Sequence, residues 1–176
     1  FDATDEVTFR NVFNIVISQA LNNTTIQVNL LDEKHRATET NVPMTFYDSY
    51  SGAIRYNFIH TMNTKGLPDT LLIDPLGTYD IVVSTIPPVR KDSNKIVAGK
   101  HNIIGIDCPQ GDLFLKFDGT SDYKNLQCIV RKKGDSKTLH VQMFNTTTRY
   151  LIGNYDLEVL CLPRLIIENV NIAQSK

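Results

Sequence analysis

The feature that most constrains this chain is a short pattern that occurs twice. Gly77 to Pro87 and Gly153 to Pro163 both read Gly-x-Tyr-Asp-(Ile/Leu)-x-Val-x-x-(Ile/Leu)-Pro. The flanking segments repeat more loosely, since Thr70 to Ile73 and Thr148 to Ile152 precede the two copies. A unit that returns in this way indicates two modules of one fold in tandem.

The repeat predicts a turn that feeds a strand, with Tyr79 and Tyr155 at matching core positions. Side chains alternate across a strand, so the predicted inward residues are Tyr79, Ile81, Val83, Tyr155, Leu157 and Val159. Each tyrosine is expected to bury its ring and to hydrogen-bond through its hydroxyl, as tyrosine corners do in sandwiches. We expect Gly77 and Gly153 to adopt a backbone conformation that a Cβ would oppose. The predicted structural residues are Gly77, Tyr79, Asp80, Gly153, Tyr155 and Asp156.

The remaining periodicity predicts one helix followed by many short strands. Apolar residues recur three and four apart in Thr8 to Asn22, which is typical of an α-helix. After Asn23 the period changes to two, as in a strand. The predicted strands are Thr24 to Leu31, Val42 to Phe46, Ala53 to Ile59, Asp69 to Ile73, Tyr79 to Thr85, Ile103 to Cys108, Asp112 to Phe117, Leu126 to Arg131, Thr138 to Phe144 and Tyr155 to Leu162.

These elements predict a mainly β fold of two tandem antiparallel β-sandwich modules, transthyretin-like or immunoglobulin-like, with one N-terminal α-helix. We place the helix in residues 1–23, the first module in 24–98 and the second in 99–176. The apolar face of the helix is covered either by the first module or by a preceding domain to which the helix belongs.

The duplicated Gly-x-Tyr and its alternating apolar residues resemble the final strands of the transthyretin-like, or carboxypeptidase-regulatory-like, β-sandwich family. The layout also resembles the region after the von Willebrand factor A domain in extracytoplasmic proteins of Bacteroidetes-type bacteria. That resemblance implies that Phe9 to Leu21 is the last helix of an A domain. The A-domain metal motif Asp-x-Ser-x-Ser is absent, since Asp48 to Ser51 has a different spacing. The resemblance implies an extracytoplasmic location: periplasm, cell surface or secreted.

Composition excludes several classes of protein. With 18 Lys and Arg against 19 Asp and Glu, the net charge of -1 creates no field that would recruit nucleic acid. No apolar run approaches the ~20 residues of a membrane-spanning helix. We therefore expect neither nucleic-acid binding nor membrane spanning.

Cysteine and histidine spacing gives no sign of catalysis. Cys108, Cys128 and Cys161 lack Cys-x-x-Cys spacing and are interpreted as buried apolar residues, with one disulfide among them as the alternative. The four histidines lie far apart, and no catalytic or phosphate-binding motif occurs. We predict no catalytic residue, metal or cofactor. Asp118 to Asp122 and Arg131 to Asp135 are interpreted as solvated turns, with a calcium loop and a polyanion site as their alternatives.

The candidate recognition site is the long connection from Ile59 to Asp69. Long loops on a rigid sandwich often carry recognition, so the candidate residues are His60, Asn63, Thr64, Lys65 and Leu67. Nearby aromatic residues could stack on a sugar, although Tyr56 and Phe58 share a strand face that favours the core. The leading hypothesis is a non-catalytic structural or protein-binding segment of an envelope or secreted protein. A carbohydrate-binding module is the alternative, and a hydrolase or metalloenzyme is a distant third.

Overall fold

A computed structural model of the protein describes residues 6–118 and 125–174. Its elements are α1 (Glu6–Asn23), β1 (Thr25–Leu31), β2 (Val42–Asp48), β3 (Ile54–His60), β4 (Thr70–Leu72), β5 (Thr78–Val83), β6 (Val89–Lys95), β7 (His101–Asp107), β8 (Gln110–Leu115), β9 (Gln127–Lys132), β10 (His140–Met143), β11 (Thr146–Leu151), β12 (Gly153–Val159) and β13 (Leu165–Ile172). The predicted fold class, mainly β with sandwich modules and one N-terminal helix, is confirmed.

The chain divides into two compact units. The first contains the described residues of Phe1–Leu30 together with Thr40–Val83 and Arg90–Ile106. The second contains Leu31–Glu39, Ser84–Val89 and the described residues of Asp107–Lys176. The predicted module boundaries, 24–98 and 99–176, stay a prediction.

The first unit contains a four-stranded sheet, β3-β2-β5-β6, and a three-stranded sheet, β4-β1-β7. β2 pairs antiparallel with both β3 and β5, so that Met44 lies between Phe58 and Val83. β7 runs in the same direction as β1, because Thr25 bonds to Lys100 at one end and Cys108 bonds to Leu31 at the other. The alternating residues Ile26, Val28 and Leu30 of β1 are at most 3% exposed and form part of the core.

The second unit contains a four-stranded sheet, β10-β9-β12-β13, and a two-stranded sheet, β11-β8. β12 pairs antiparallel with β9 and β13. The core of the second unit consists of buried residues from several strands: Leu115, Leu126, Cys128, Val130, Tyr150, Tyr155, Leu157, Val159 and Ile172. Alternate residues of β12 face this core, as the repeat predicts.

The sequence pattern missed three strands, β6, β11 and β13, and shifted most other boundaries by one or two residues. The apolar face predicted for the helix is formed but poorly covered. Phe9 is 57%, Phe13 51% and Val16 56% exposed, and the first two rings stack on each other at 5.9 Å. In the part of the chain that the structure describes, no helix has the length and apolar character needed to cross a bilayer.

Candidate functional site

The repeat residues have structural roles at matching positions of the two units. Tyr79 and Tyr155 are each 2% exposed, and their hydroxyls donate to the carbonyls of Asp74, at 2.9 Å, and Leu151, at 2.7 Å. The predicted tyrosine corners are therefore confirmed. A Cβ on Gly77 would lie 2.4 Å from the Tyr79 hydroxyl, so only glycine leaves room for the tyrosine ring at this position. Gly153 instead has a φ of 147°, which a side chain would oppose.

Asp80 and Asp156 each bind a residue of positive φ in the next strand. Asp80 accepts the backbone N–H of Ser93 at 2.8 Å, and Asp156 accepts that of Asn169 at 2.9 Å. Ser93 and Asn169 both have a positive φ, 55° and 60°. The Ser49 hydroxyl and the Ser93 N–H lower the pKa of Asp80, and the N–H groups of Asn169 and Gly134 lower that of Asp156. The repeated aspartates thus fix the edge strands β6 and β13.

The predicted recognition loop forms a tight turn with exposed side chains. The Asn63 side-chain oxygen accepts the N–H groups of Lys65, at 2.9 Å, and Leu67, at 3.1 Å. Asn63, Thr64, Lys65 and Leu67 are all exposed. The turn therefore presents these four side chains together on the surface.

His60 does not belong to that exposed surface. It is 3% exposed, and its Nε2 donates to the carbonyl of Val28 at 2.9 Å. Burial lowers its pKa, which favours the neutral ring. The placement of His60 among the surface recognition residues is corrected, because the inward register at the end of β3 buries the ring.

The aromatic residues near this loop pack mainly with each other. Phe46 contacts Tyr56 and Phe58 at centroid distances of 6.0 and 5.6 Å, and Tyr56 contacts Tyr79 at 5.9 Å. Tyr50 is fully exposed, in the turn after β2. The described aromatic residues here therefore contribute more to packing than to a stacking platform for a sugar.

The three cysteines are free, and two of them are buried as predicted. Burial raises the pKa of Cys108 to about 12 and that of Cys128 to about 11, so neither is a thiolate at neutral pH. Cys161 is only partly buried, which corrects its predicted inward position. It lies beyond β12, which ends at Val159, so strand alternation no longer applies to it.

The histidines and the described acidic side chains are not assembled into one site. His35 pairs with Asp107 and His101 with Thr25, whereas His140 contacts the Tyr150 ring. Within residues 6–118 and 125–174, no three His, Cys, Asp or Glu side chains are grouped to hold a metal ion. Most of the Asp118 to Asp122 loop lies outside the described residues, and Asp118 itself pairs with Lys116 at 2.9 Å.

The predicted turn in Arg131 to Asp135 is formed by Lys133 and Gly134, whereas Arg131 and Lys132 belong to β9. The Asp135 N–H donates to the Lys132 carbonyl, and Gly134 has a φ of 74°. Arg131 is paired with Glu158 at 2.8 Å, which reduces the local positive charge. A cavity of about 360 Å³ lies beside this turn, lined by residues that include Pro87, Lys132 and Lys137.

Sequence reasoning missed an exposed apolar edge strand in the second unit. Leu165, Ile166 and Ile167, which we call the β13 edge, are 52%, 64% and 41% exposed. β13 is the last strand of its sheet among the described residues. Leu165 and Ile167 are paired with the inward residues Val159 and Leu157, whereas Ile166 is paired with Glu158, so both faces of this edge are apolar.

The repeat itself carries a signal that identifies this edge. Gly77 and Gly153, Pro87 and Pro163, and Ser93 and Asn169 share one spacing, so β6 and β13 correspond residue by residue. In this register Leu165, Ile166 and Ile167 correspond to Val89, Arg90 and Lys91. The first unit therefore has a charged edge where the second has an apolar one.

Comparisons with known proteins give limited similarity. No family model matches the chain, and no curated protein matches it. Among solved structures, the chain is similar to the Bacillus anthracis TIE protein, with 16% sequence identity and a TM-score of 0.31. The alignment covers 85% of this chain but only 32% of that one. A likeness this weak leaves the function to be argued from this chain's own residues.

Proposed function

We propose that this chain is a non-catalytic, protein-binding segment, and that the β13 edge is its principal contact with the partner. The observation that carries this proposal is the exposure of three consecutive large apolar residues on an edge strand. An edge strand offers unpaired backbone N–H and C=O groups beside whatever its side chains present. Such an edge is suited to pairing with an extended segment of another protein.

The first unit supplies an internal comparison. Arg90 of β6 pairs with Asp80 at 2.7 Å, and the Lys91 amine donates to the carbonyl of Gly105 at 2.8 Å. Charged residues on an edge oppose pairing with other chains, because such pairing would desolvate them. The absence of those charges from the matched positions of the second unit favours a binding role for the β13 edge.

We also propose that the two units are transthyretin-like or carboxypeptidase-regulatory-like modules of an extracytoplasmic protein, as the repeated Gly-x-Tyr motif suggests. Support for a non-catalytic role comes from the dispersed histidines and from the raised pKa of Cys108 and Cys128. The exposed turn from Asn63 to Leu67 is a second candidate contact, on the first unit.

The test transfers the charged edge of the first unit to the second. The double variant Ile166→Arg, Ile167→Lys copies Arg90 and Lys91 and should fold, because both positions are exposed. The matched control is Val141→Arg on β10, the opposite edge of the same sheet, where Val141 is 43% exposed. Proteins captured from the source cells by the wild type are identified by mass spectrometry, and the affinity of the purified partner is then measured by calorimetry.

We expect the double variant to lose at least about tenfold in affinity, while the control binds as the wild type does. Equal affinity of all three proteins would refute the β13 edge as the contact, and a Gly-Ser replacement of Asn63 to Leu67 would then test the other surface. Saturable binding on a glycan array without any protein partner would favour the carbohydrate-binding alternative. A turnover that Cys128→Ser abolishes in a folded protein would refute the non-catalytic assignment.

A further inference from the structure

The second unit has fewer strands in one sheet than the first unit has at the corresponding place. In the first unit β1 lies between β4 and β7, whereas in the second unit β8 is paired with β11 on one side only, among the described residues. In the part of the chain that the structure describes, the order β4-β1-β7 thus corresponds to β11-β8 followed by an edge without a further strand, which we call the free edge of β8.

The correspondence of β1 with β8 follows from the tyrosine corners. The Tyr79 hydroxyl donates to the carbonyl of Asp74, and the Tyr155 hydroxyl donates to that of Leu151. The residue just before each of these carbonyls is buried: Ile73 in the first unit and Tyr150 in the second. Ile73 bonds to the carbonyl of Thr24, and Tyr150 is paired with Gly111. Thr24 therefore corresponds to Gly111, and the inward residues Ile26, Val28 and Leu30 correspond to Leu113, Leu115 and Phe117.

Burial at these matched positions differs in the way that a free edge predicts. Ile26, Val28 and Leu30 are 1%, 3% and 0% exposed in β1, which has a neighbouring strand on both sides. Leu115 is buried at 9%, but Leu113 and Phe117 are only partly buried against the core. The core of the second unit is therefore less completely covered along β8.

The chain that leaves β13 already passes over the start of β8. A Cβ on Gly111 would lie 1.9 Å from the carbonyl oxygen of Ala173, so the backbone after β13 crosses the start of β8 in direct contact. At the matched place in the first unit, the N–H of Gly99 donates to the Thr24 hydroxyl at 2.8 Å, just before β7 begins. Both units thus guide the chain from their edge strand to the same position.

We propose that the free edge of β8 accepts one further β-strand, which follows β13 along the chain and runs parallel to β8. The residues expected in this added strand follow from β7 of the first unit. In β7, Ile104 and Ile106 lie in the inward register, and Ile106 is 3% exposed. The occupant is an extended segment with apolar residues at alternate positions, whose side chains cover Leu113 and Phe117. This inference rests on the pairing of β8 and is independent of the β13 edge.

The experiment supplies such a strand. In the register of the repeat Lys176 corresponds to Lys100, so the sequence of His101 to Asp107 is fused directly after Lys176. The matched control carries the same fusion with its copies of Ile104 and Ile106 changed to Asp. Backbone hydrogen exchange of β8 is measured in both proteins and in the unextended chain, with β1 as an internal reference for folding.

We expect the fused strand to slow hydrogen exchange at least about tenfold for the β8 amides that point to the free edge. It should also raise the melting temperature of the second unit. The Asp-containing control should leave both quantities as in the unextended chain. Unchanged β8 exchange in the fused protein, with β1 protection intact, would overturn the proposal. Protection by the free peptide but not by the fused strand would also overturn it, because the strand would then not arrive from β13.

Discussion

At the scale of single residues, turn carboxylates couple the fold to pH. Asp48 accepts the N–H of Ser51 at 2.8 Å and pairs with Arg55 at 3.0 Å. The Ser51 N–H and then the Arg55 side chain lower the pKa of Asp48 from 3.8 to about 2. Because the folded pKa is depressed, the stabilisation by Asp48 is present above pH 3.8 and is lost as the pH falls towards 2.

We therefore predict that Asp48→Asn lowers the melting temperature at neutral pH and that this difference narrows between about pH 4 and pH 2. Thermal unfolding followed by circular dichroism across this pH range measures it. Asp118→Asn is the control, since the Asp118 side chain is 87% exposed and its replacement should change stability little. A constant difference between Asp48→Asn and the wild type at every pH would contradict the assignment.

Residues whose role depends on their own strand were predictable, and those with distant partners were not. Tyr79 and Tyr155 follow from alternation, because burial within a strand has a period of two. The role of Asp80 depends on Ser93, thirteen residues later, whose positive φ cannot be read from its identity. His60 was predicted to be on the surface, but the inward register persists to this last residue of β3. Cys161 was predicted to point inward, but β12 and its alternation stop at Val159.

At the scale of elements, the three strands that the pattern missed, β6, β11 and β13, all lie at sheet edges, although other edge strands such as β3 and β10 were predicted. β6 contains Arg90, Lys91 and Asp92, and edge strands carry such charges because they are not covered on both sides. β13 begins with consecutive apolar residues and is bulged at Asn169, which removes the period of two. The candidate surface was missed with the strand, although comparison of the two repeat copies identifies it.

The helix α1 gives a prediction at this scale. Because Phe9, Phe13 and Val16 are all more than half exposed, their removal takes little apolar burial from the fold. We expect a chain that begins at Thr24 to retain its β-sheet circular dichroism and cooperative melting. Loss of both on truncation would show that α1 is integral to the first unit, and equal loss on the substitution Phe9→Ser alone would locate the contact at that ring.

At the scale of the whole molecule, the repeat predicts that stability is divided between two modules. Each unit has its own buried tyrosine corner, and the residues around Tyr79 and Tyr155 belong to separate units. Compact units with cores of their own commonly unfold as separate cooperative transitions. A substitution in one core should therefore affect one transition and leave the other in place.

We predict that Tyr79→Ala and Tyr155→Ala each destabilise their own unit by about 3 kcal/mol, which is typical of truncating a buried aromatic side chain. In calorimetry, each variant should lower one melting step and leave the second at its wild-type temperature. Tyr50→Ala is the control, because this fully exposed ring should contribute no more than about 0.5 kcal/mol. A single transition lowered equally by both core substitutions would mean that the units unfold as one, and the predicted boundary between residues 98 and 99 would be wrong.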